Sequence, residues 1–574
     1  MHERGIQIRI WIVAVLLFLS FCGLGAKLAY LHLSNHSKVT GREYKRTLLG
    51  LRGRIFDCNG SQYPMAVSLP ARQFYIDPKS VKKEHDVNTI AKTVASCLSL
   101  DEKAVLEKFT QTGSRYIKLG YSLDDHVFEV LSDAKHISGV GAEELVIRRY
   151  PQGRRMSHVL GFVNDMGVGG AGIEQQFNRY LTGTEGLIEG EKDAGRREIF
   201  TRRKTYIPAI AGSDVYLTLD HNIQYEVEQA VKEVVEKFDA MAGWAIVQRV
   251  KTGELLAIAS YPDFEPENYS KEATFDVWRN NALAIVYEPG SIMKAVTVSA
   301  LLNERLATPD TMIDVGEGTW FYAGKPLRDH VTGRISVSTA LKKSSNIACA
   351  KMGLMLGNKK LEAYLHAYNF GNKLGIELPG EERGILARSK DWDKLKPTRI
   401  PIGQGVAVTG LQMINAYSTL ANDGVMMRPY LVDRIVSSTG DTVFKAKPEI
   451  LGRPVRPEVA RKVREMLIGV TEEGGTGKRA SVAGYSIGGK TGTAQKAVPG
   501  GYSSTDYYAS FVGFVPAREP VFSVLVTVER PRPQHTGGFV SAPAFAKIAA
   551  ATARYLEIPP DLPPEEDEAD AGQL

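Results

Sequence analysis

The chain has 574 residues, too many for one hydrophobic core, so we expect two to four structural units. Its composition, 43% hydrophobic and 24% charged, is typical of a globular protein and excludes a disordered or collagen-like chain. The formal net charge of +6 is small for this length, and no dense basic stretch with interleaved aromatic residues occurs. A nucleic-acid partner is therefore not expected.

The N-terminal segment is typical of a membrane anchor. Residues 10–31 form an apolar span of about 22 residues if the amine of Lys27 reaches the membrane surface, and this length crosses a bilayer. We therefore expect a short cytoplasmic tail over residues 1–9 and a single-pass protein of the inner (cytoplasmic) membrane, with the remaining domains outside the cytoplasm. Two observations leave this topology open: residues 23–26 fit a signal-peptide cleavage site, and more basic residues follow the span than precede it.

Residues 45–207 predict a mixed α+β domain. A strand-then-turn pattern covers residues 50–60, and residues 86–109 have the periodicity of two helices broken near residues 99–101. His158 is interpreted as a buried structural histidine, because no carboxylate or second histidine accompanies it.

The four cysteines do not indicate a metal site. None lies in Cys-x-x-Cys spacing and no histidine–cysteine cluster has ligand spacing, so neither zinc nor any other cofactor is expected. Cys349 falls in a predicted helix and is interpreted as a small core residue. A disulfide between Cys58 and Cys97 is left open, since the sequence does not fix the distance between their Cα atoms.

Residues 208–557 predict a second domain of mixed α/β class, with helices packed against an antiparallel sheet. The predicted elements are a helix over residues 223–238, a hairpin of residues 243–249 and 255–260, and a second hairpin of residues 509–515 and 521–528. Residues 558–574 are acidic and rich in proline, and we expect them to be disordered.

Three short motifs follow one another in this second domain. The first, Ser291-Ile-Met-Lys294, comes directly after the helix-breaking Pro289-Gly290. Free N–H groups at a helix N-terminus favour a developing oxyanion on a serine's substrate, and a lysine three residues later lies on the same face. That lysine acts as a base if burial and a neighbouring positive charge lower its pKa. The spacing alone is weak evidence, because Ser80 and Lys83 share it and a helix-capping serine is the plain alternative.

The second motif, Ser344-Ser-Asn346, lies in a helical pattern over residues 341–355, where polar residues are unfavourable unless they face a cleft. The alternative interpretation is that Ser344 and Asn346 are ordinary polar residues on the surface of a helix.

The third motif, Lys490-Thr-Gly-Thr493, lies in a predicted strand. Gly492 leaves room for a substrate chain, Thr491 and Thr493 offer hydroxyls, and an edge strand of this kind binds an extended peptide. Its alternative is an ordinary bulged strand. A second Lys-Thr-Gly, beginning at Lys251, is explained as the turn of the first hairpin.

In this order the motifs resemble the signature of penicillin-binding proteins and serine β-lactamases. Over much of its length the chain is similar to class B penicillin-binding proteins, which are peptidoglycan D,D-transpeptidases, and the similarity includes motifs of that family's non-catalytic pedestal domain. These pedestal motifs are Arg52-Gly-Arg-Ile-Phe-Asp57 with Asn59-Gly60, Arg149-Tyr-Pro151, Gly172-Ile-Glu174 and Leu181-Thr-Gly183.

Within that class, the asparagine of Ser344-Ser-Asn346 resembles the septal, cell-division (FtsI-like) branch, since the elongation branch usually carries aspartate there. Two departures occur outside the three motifs. Cys58 stands where the family usually has arginine, and Thr409-Gly410 stands where it often has Thr-Pro.

The resemblance implies an acyl-transfer mechanism in which Ser291 attacks the penultimate D-Ala of a donor stem peptide and an acceptor amine resolves the acyl-enzyme into a cross-link. β-Lactams, which resemble D-Ala-D-Ala, are implied as covalent inhibitors. The other implied roles are Lys294 as base, Ser344 as proton relay, Asn346 as holder of the substrate amide and Lys294, Lys490 as source of positive potential, and Thr491, Gly492 and Thr493 as substrate-binding residues. The implied partners are stem peptides, the inner membrane, a septal glycosyltransferase and divisome membrane proteins.

Three alternatives share parts of this pattern. A β-lactamase or D,D-carboxypeptidase uses water as acceptor, and the anchor and pedestal argue against both. A membrane-bound β-lactam sensor carries several spans and a protease domain, neither of which the sequence indicates. A non-catalytic division scaffold does not need the intact Ser291, Lys294 and Lys490.

Overall fold

A computed structural model describes residues 2–35, 42–60, 62–81, 87–110, 114–133, 139–193, 198–272 and 274–563. Its strands, in chain order, are β1 (Arg42–Leu48), β2 (Ile55–Phe56), β3 (Val67–Ile76), β4 (Ile117–Ser122), β5 (Val140–Arg149), β6 (Gly186–Lys192), β7 (Thr205–Ile207), β8 (Asp214–Leu217), β9 (Ala242–Arg249), β10 (Leu255–Tyr261), β11 (Met312–Gly316), β12 (Thr319–Tyr322), β13 (Lys325–Arg328), β14 (Gly333–Ser336), β15 (Met426–Met427), β16 (Val432–Val436), β17 (Thr442–Lys445), β18 (Ile450–Gly452), β19 (Gly488–Val498), β20 (Gly501–Val515) and β21 (Phe522–Glu529).

The α-helices, in chain order, are α1 (His2–Asn35), α2 (Pro78–Val81), α3 (Val87–Leu98), α4 (Glu102–Thr110), α5 (Asp125–Asp133), α6 (Ser157–Leu160), α7 (Gly172–Gln176), α8 (Asn178–Leu181), α9 (His221–Lys237), α10 (Tyr269–Glu272), α11 (Phe275–Trp278), α12 (Asn281–Ala284), α13 (Lys294–Asn303), α14 (Val337–Lys342), α15 (Asn346–Leu356), α16 (Asn358–Ala367), α17 (Lys396–Arg399), α18 (Gly410–Ala421), α19 (Pro457–Thr471) and α20 (Gly537–Tyr555). Short 3₁₀ helices cover Phe200–Arg202, Pro266–Asn268, Gly290–Met293, Ser389–Asp391, Ile400–Ile402 and Lys478–Ala480.

One compact unit comprises residues 1–51 and 183–211. Residues 5–33 of α1 are long and apolar enough to cross a membrane, with a mean hydropathy of 2.2. The same unit contains a three-stranded sheet in the order β1-β6-β7, in which β1 and β6 pair antiparallel.

The second compact unit comprises residues 52–182 and 212–574. Its N-terminal part contains a sheet in the order β4-β3-β5, and α3, α4 and α5 pack against this sheet around Phe74, Val94 and Phe109. The predicted break between two helices is confirmed, because α3 ends before Ser99, whose φ of 52° is left-handed.

A buried charge cluster stabilises this part of the second unit. The Glu174 carboxylate of α7 is fully buried and accepts from Nε of Arg52 and Nε of Arg148, each at 2.6 Å. Arg52 also donates to Oδ1 of Asn178 at 2.8 Å. Arg52 and Glu174, both of which belong to the motifs that resemble the family's pedestal, are therefore part of the buried interior of this unit.

The main sheet of this unit has the order β10-β9-β21-β20-β19, and its neighbouring strands are antiparallel. Both predicted hairpins are confirmed as β9–β10 and β20–β21, and Lys251 lies in the turn of the first. The predicted helix is confirmed as α9, which Asp220 caps by accepting from the backbone N–H of Asn222 at 2.8 Å.

Alternate residues of β9 face two different hydrophobic layers, as the period of a strand requires. Ala245 and Val247 pack with α9 and α20 on one face. Trp244 and Ile246 belong to the larger core on the other face, which includes α13, α15 and α18. This sandwich of helix, sheet and helix leaves β19 as an edge strand, as predicted.

The structure differs from the sequence-based expectation at the chain's end. Residues 558–563, assigned to a disordered tail, have a defined conformation: the Asp561 carboxylate accepts from the backbone N–H of Ser486 at 2.7 Å, and Tyr485 donates to the carbonyl of Ile558 at 2.6 Å. Composition missed this contact because it comes from residues distant in the sequence. The rest of the predicted tail, residues 564–574, lies outside the described residues.

Three other single-residue expectations are settled. Cys58 and Cys97 carry free thiols. Cys349 is a fully buried residue of α15. His158 is buried, its Nε2 bonds the carbonyl of Val277 at 2.8 Å, and burial lowers its pKa to about 4, as a structural histidine requires.

Candidate active site

The Ser291 hydroxyl is presented by a 3₁₀ turn, Gly290–Met293, that continues directly into α13. Gly290 has φ of 56°, and a Cβ there would lie 3.1 Å from the carbonyl oxygen of Thr493. Only glycine therefore allows the turn to lie against β19 in this conformation. The hydroxyl of Tyr417 in α18 holds this turn in place by donating to the carbonyl of Ile292 at 2.9 Å.

Lys294 lies one turn after Ser291, as predicted, and its side chain is fully buried. Its Nζ donates to the carbonyl of Ser344 at 2.6 Å, to Oδ1 of Asn346 at 2.7 Å and to Oγ of Ser344 at 3.2 Å. Burial lowers the pKa of Lys294, while the charges of Cys349 and Asp329 act in the opposite direction. The first two motifs are thus joined directly through one amine.

The second motif does not continue a helix, contrary to the sequence-based expectation for residues 341–355. Helix α14 ends at Lys342, Ser344 adopts a left-handed φ of 62°, and α15 begins at Asn346. The break forms because the hydroxyl of Ser345 caps α15 by accepting from the backbone N–H of Ala348 at 3.1 Å. It turns both the carbonyl and the hydroxyl of Ser344 toward Lys294.

The third motif lies at the beginning of edge strand β19, as predicted. Lys490 is fully buried, and burial together with the charge of Lys294 lowers its pKa well below the ordinary value. The hydroxyl of Thr491 lies 2.9 Å from that of Thr476, and the hydroxyl of Thr493 accepts from the backbone N–H of Gly537 at 3.1 Å.

Gly492 has a packing role in addition to the predicted one. A Cβ at this position would lie 3.1 Å from Cγ2 of Ile292 and 3.1 Å from the carbonyl oxygen of Pro289. The absent side chain therefore allows β19 to approach the turn that carries Ser291. A substrate contact of the Gly492 backbone stays a prediction.

These groups meet in one cleft of about 610 Å³. Five of the predicted site residues line it: Ser291, Ser344, Asn346, Thr491 and Thr493. The two buried lysines, Lys294 and Lys490, lie behind this wall, where their amines reach Ser344, Asn346 and Thr491.

Sequence reasoning did not assign several residues of the cleft wall to the site, because the fold brings them to the cleft from segments outside the three motifs. They are His330, Gly475, Thr476, Lys478, Arg479, Thr536, Gly538 and Phe539. The glycine-rich stretch around Thr476 was one available signal. The guanidinium of Arg479 lies 3.5 Å from the centre of the Phe539 ring, and no sequence pattern indicated this contact.

A cleft serine one helical turn before a buried amine, with a second hydroxyl and an amide bonded to that amine and a second buried lysine, is an arrangement suited to acyl transfer. Comparison with known proteins gives its family. Residues 243–550 match the family described as Penicillin binding protein transpeptidase domain, and residues 47–217 match the Penicillin-binding Protein dimerisation domain. The chain therefore belongs to the class B penicillin-binding proteins and is a serine acyltransferase-type enzyme of the peptidoglycan D,D-transpeptidase family.

Particular relatives agree with this assignment. The chain is 30% identical to "Probable peptidoglycan D,D-transpeptidase PbpC" of Pseudomonas aeruginosa, over 98% of this chain and 97% of the relative. It is 30% identical to "Peptidoglycan D,D-transpeptidase FtsI" of Escherichia coli, over 89% of this chain and 84% of the relative. Among solved structures, penicillin-binding protein 3 of Mycobacterium tuberculosis complexed with aztreonam is similar with a TM-score of 0.69 and 26% identity, over 90% of this chain and 99% of that one. The fold class and family expected from the sequence are confirmed.

Proposed function

We propose that this protein cross-links peptidoglycan stem peptides during septal wall synthesis through an acyl-enzyme on Ser291, and that β-lactams inhibit it by acylating the same residue. One observation carries the proposal: the buried amine of Lys294, one helical turn from Ser291, bonds both Ser344 and Asn346 at the wall of a cleft large enough for a peptide. That arrangement supplies a nucleophile, a base and a proton relay in one place.

The bonds of Lys294 leave one direction of its amine for proton exchange with Ser344. Its two shortest bonds, 2.6 Å and 2.7 Å, go to carbonyl oxygens that only accept, so they use two N–H groups. The third direction faces the Ser344 hydroxyl at 3.2 Å, which either donates or accepts. Burial lowers the pKa of the amine, which favours the neutral form that the proposed proton transfer requires.

Acylation then proceeds with balanced proton transfers. The Ser291 oxygen attacks the carbonyl carbon of the penultimate D-Ala, and Lys294 receives the serine proton. The proton passes through the Ser344 hydroxyl to the departing amine of the terminal D-Ala, and the C–N bond breaks. The backbone N–H groups of Ser291 and Thr493 stabilise the negative charge on the tetrahedral oxygen.

Deacylation reverses these steps with a new amine. An acceptor amine of a neighbouring stem peptide attacks the ester carbonyl, gives its proton back along the same relay, and leaves Ser291 free. Asn346 holds the amide of the donor, and the Gly492 backbone and the hydroxyls of Thr491 and Thr493 bind the substrate on the β19 side. Burial lowers the pKa of Lys490. A substrate carboxylate that enters the cleft acts in the opposite direction and favours the protonated amine, so Lys490 then supplies positive potential.

The septal assignment is supported by Ser344-Ser-Asn346 and by the similarity to the protein named FtsI. The apolar helix α1 fits a single-pass membrane anchor. We propose that the anchor lies in the inner membrane with the catalytic domain outside the cytoplasm, and that a septal glycosyltransferase and other divisome membrane proteins are the partners. The domain limits proposed from the sequence are an anchor over residues 10–31, a pedestal over residues 45–207 and a transpeptidase domain over residues 208–557.

A partition assay tests the activity. The purified protein is given a thioester mimic of the donor stem peptide together with a D-amino acid as acceptor amine, and the transfer and hydrolysis products are separated by chromatography. We expect more transfer than hydrolysis, and neither with Ser291→Ala. Hydrolysis alone at high acceptor concentration would indicate a D,D-carboxypeptidase instead.

A depletion experiment tests the cellular role. Cells that lose a septal enzyme grow as filaments, whereas cells that lose an elongation enzyme become spheres. Filaments that are rescued by the wild-type chain but not by Ser291→Ala support the septal proposal. Spherical cells would contradict the septal proposal but would not contradict the proposed transpeptidase activity.

A further inference from the structure

A buried carboxylate outside the three motifs lies directly against the second one. Asp329 follows strand β13, and its side chain has no solvent exposure. The carboxylate accepts a short hydrogen bond from the hydroxyl of Ser345 and a bond of 3.0 Å from the backbone N–H of Ile347. These two residues flank Asn346 on either side.

The neighbouring residue strengthens the same contact. The side-chain amide of Asn346 donates to the carbonyl of Arg328 at 3.4 Å. The dipeptide Arg328-Asp329 therefore contacts three consecutive residues of the second motif, Ser345, Asn346 and Ile347, and none of these contacts involves a cleft-facing group of Ser344.

The second motif needs such support because its backbone is strained. Ser344 has a left-handed φ of 62°, a conformation that residues other than glycine rarely adopt and that costs free energy. Its carbonyl lies 2.6 Å from Nζ of Lys294 only in this conformation of the turn. A group that anchors the next residues of the chain thus determines whether Ser344 and Asn346 reach the amine.

The charge of Asp329 also acts on the Lys294 amine. The titratable groups around the Lys294 amine are Lys490 of β19, Cys349 of α15 and Asp329 itself. Among these titratable groups, Asp329 is the carboxylate. His330, the next residue, is 62% exposed and its Nδ1 lies 3.5 Å from Oδ1 of Asp329.

We propose that Asp329 is a positioning residue of the active site: it fixes the turn of the second motif so that Ser344 and Asn346 meet Lys294, and its negative charge acts on that amine. The inference rests on the proposed function. It adds a fourth sequence element, the end of β13, to the three motifs that define the catalytic machinery.

Two substitutions separate the two parts of this role. Asp329→Asn keeps a polar group of the same shape and removes the charge. Asp329→Ala removes both the charge and the bonds to the second motif. The matched control is Asp314→Asn, an exposed aspartate of neighbouring strand β11 whose carboxylate accepts from the backbone N–H of Gly316 at 2.9 Å.

The measurement is the second-order rate constant for acylation by benzylpenicillin between pH 5 and pH 10, with the melting temperature of each variant recorded. We expect Asp329→Ala to acylate about tenfold more slowly or worse. We expect Asp329→Asn to shift the acid limb of the profile to lower pH by about half a pH unit, because loss of the negative charge favours the neutral amine of Lys294. Asp314→Asn should follow the wild-type profile.

Either of two results overturns the proposal: an acylation rate of Asp329→Ala within twofold of wild type, or an acid limb that does not move in Asp329→Asn. If Asp329→Ala does not fold, Asp329→Asn alone decides, and an acid limb that does not move overturns the proposal. Wild-type acylation at Ser291 is measured in the same experiment, so a failure of this inference is distinct from a failure of the proposed function.

Discussion

At the scale of single residues, the two buried amines determine the chemistry of the cleft. Lys294 and Lys490 are both fully buried, and burial is the largest cause of the lowered pKa of each. The charge of Lys294 lowers the pKa of Lys490 further, so protonation of both amines at once is unfavourable. The proposed acylation step needs Lys294 in its neutral form, which burial favours.

The pH dependence of acylation follows from this shift. The neutral fraction of Lys294 increases as pH rises through its lowered pKa, so the acylation rate by a β-lactam should rise with pH and reach a plateau below the ordinary lysine range. Stopped-flow or quenched-flow measurement of acylation from pH 5 to pH 10 checks this. A rate that falls with pH over that range would exclude Lys294 as the base.

Lys294→Arg provides the matched variant for the base. Arginine keeps a positive charge but does not deprotonate in proteins, so we expect the acylation rate to fall by a factor of about 1,000 or more. Lys343→Arg is the control, because the Lys343 amine donates to the carbonyl of Gly474 at an exposed site and should tolerate the change. Substantial acylation by a folded Lys294→Arg contradicts the assignment.

At the scale of elements, the approach of β19 to the turn of Ser291 places the third motif. Gly492 faces Pro289 and Ile292, and the backbone of Gly290 faces Thr493. A side chain at either glycine would push β19 away from the turn that carries Ser291, and one substrate has to contact both. Among the described residues no strand pairs with the outer side of β19, and an edge strand of this kind is suited to pair with an extended peptide.

Gly492→Ala tests this packing. The added methyl group would lie 3.1 Å from Ile292 and Pro289, so the strand has to move away from the turn, and we expect acylation to slow by about tenfold or more. Gly452→Ala is the control, since no atom lies within 4 Å of a Cβ at that strand position. Equal acylation rates for the two variants would show that the approach is not needed.

Sequence patterns predicted the elements here better than their ends. The hairpins β9–β10 and β20–β21 were predictable because each consists of two short, mostly apolar runs separated by turn residues. The break at Ser344 was not, because apolar residues continue through it at helical spacing. The side-chain bonds at the break are the cap that Ser345 makes on α15 and the bonds to Asp329, a residue outside the helix. Residues of the cleft wall such as His330 and Arg479 escaped for the same reason: the fold brings them to the motifs, and no local pattern marks them.

At the scale of the whole molecule, the second unit depends on a buried ion cluster far from the cleft in sequence. The single carboxylate of Glu174 pairs with both Arg52 and Arg148, and all three side chains are almost or fully buried. Removal of one member leaves buried charges without a partner, which is strongly destabilising.

Glu174→Gln should therefore lower the free energy of unfolding by about 3 to 5 kcal/mol. Thermal and urea denaturation of the purified protein measure the loss, while acylation at low temperature should persist in the folded fraction. Glu233→Gln is the control, since the ion pair of Glu233 with Lys547 is exposed and is expected to contribute less than about 1 kcal/mol. Equal stability of the two variants contradicts a structural role for the cluster.

The central claim is that one serine of this molecule forms the acyl-enzyme, and locating the adduct tests it most directly. The full chain is incubated with benzylpenicillin and digested, and the modified peptide is sequenced by tandem mass spectrometry. The account predicts a single adduct on Ser291 in the wild-type protein and none in Ser291→Ala. An adduct on another residue, or an equal adduct in the variant, would contradict it.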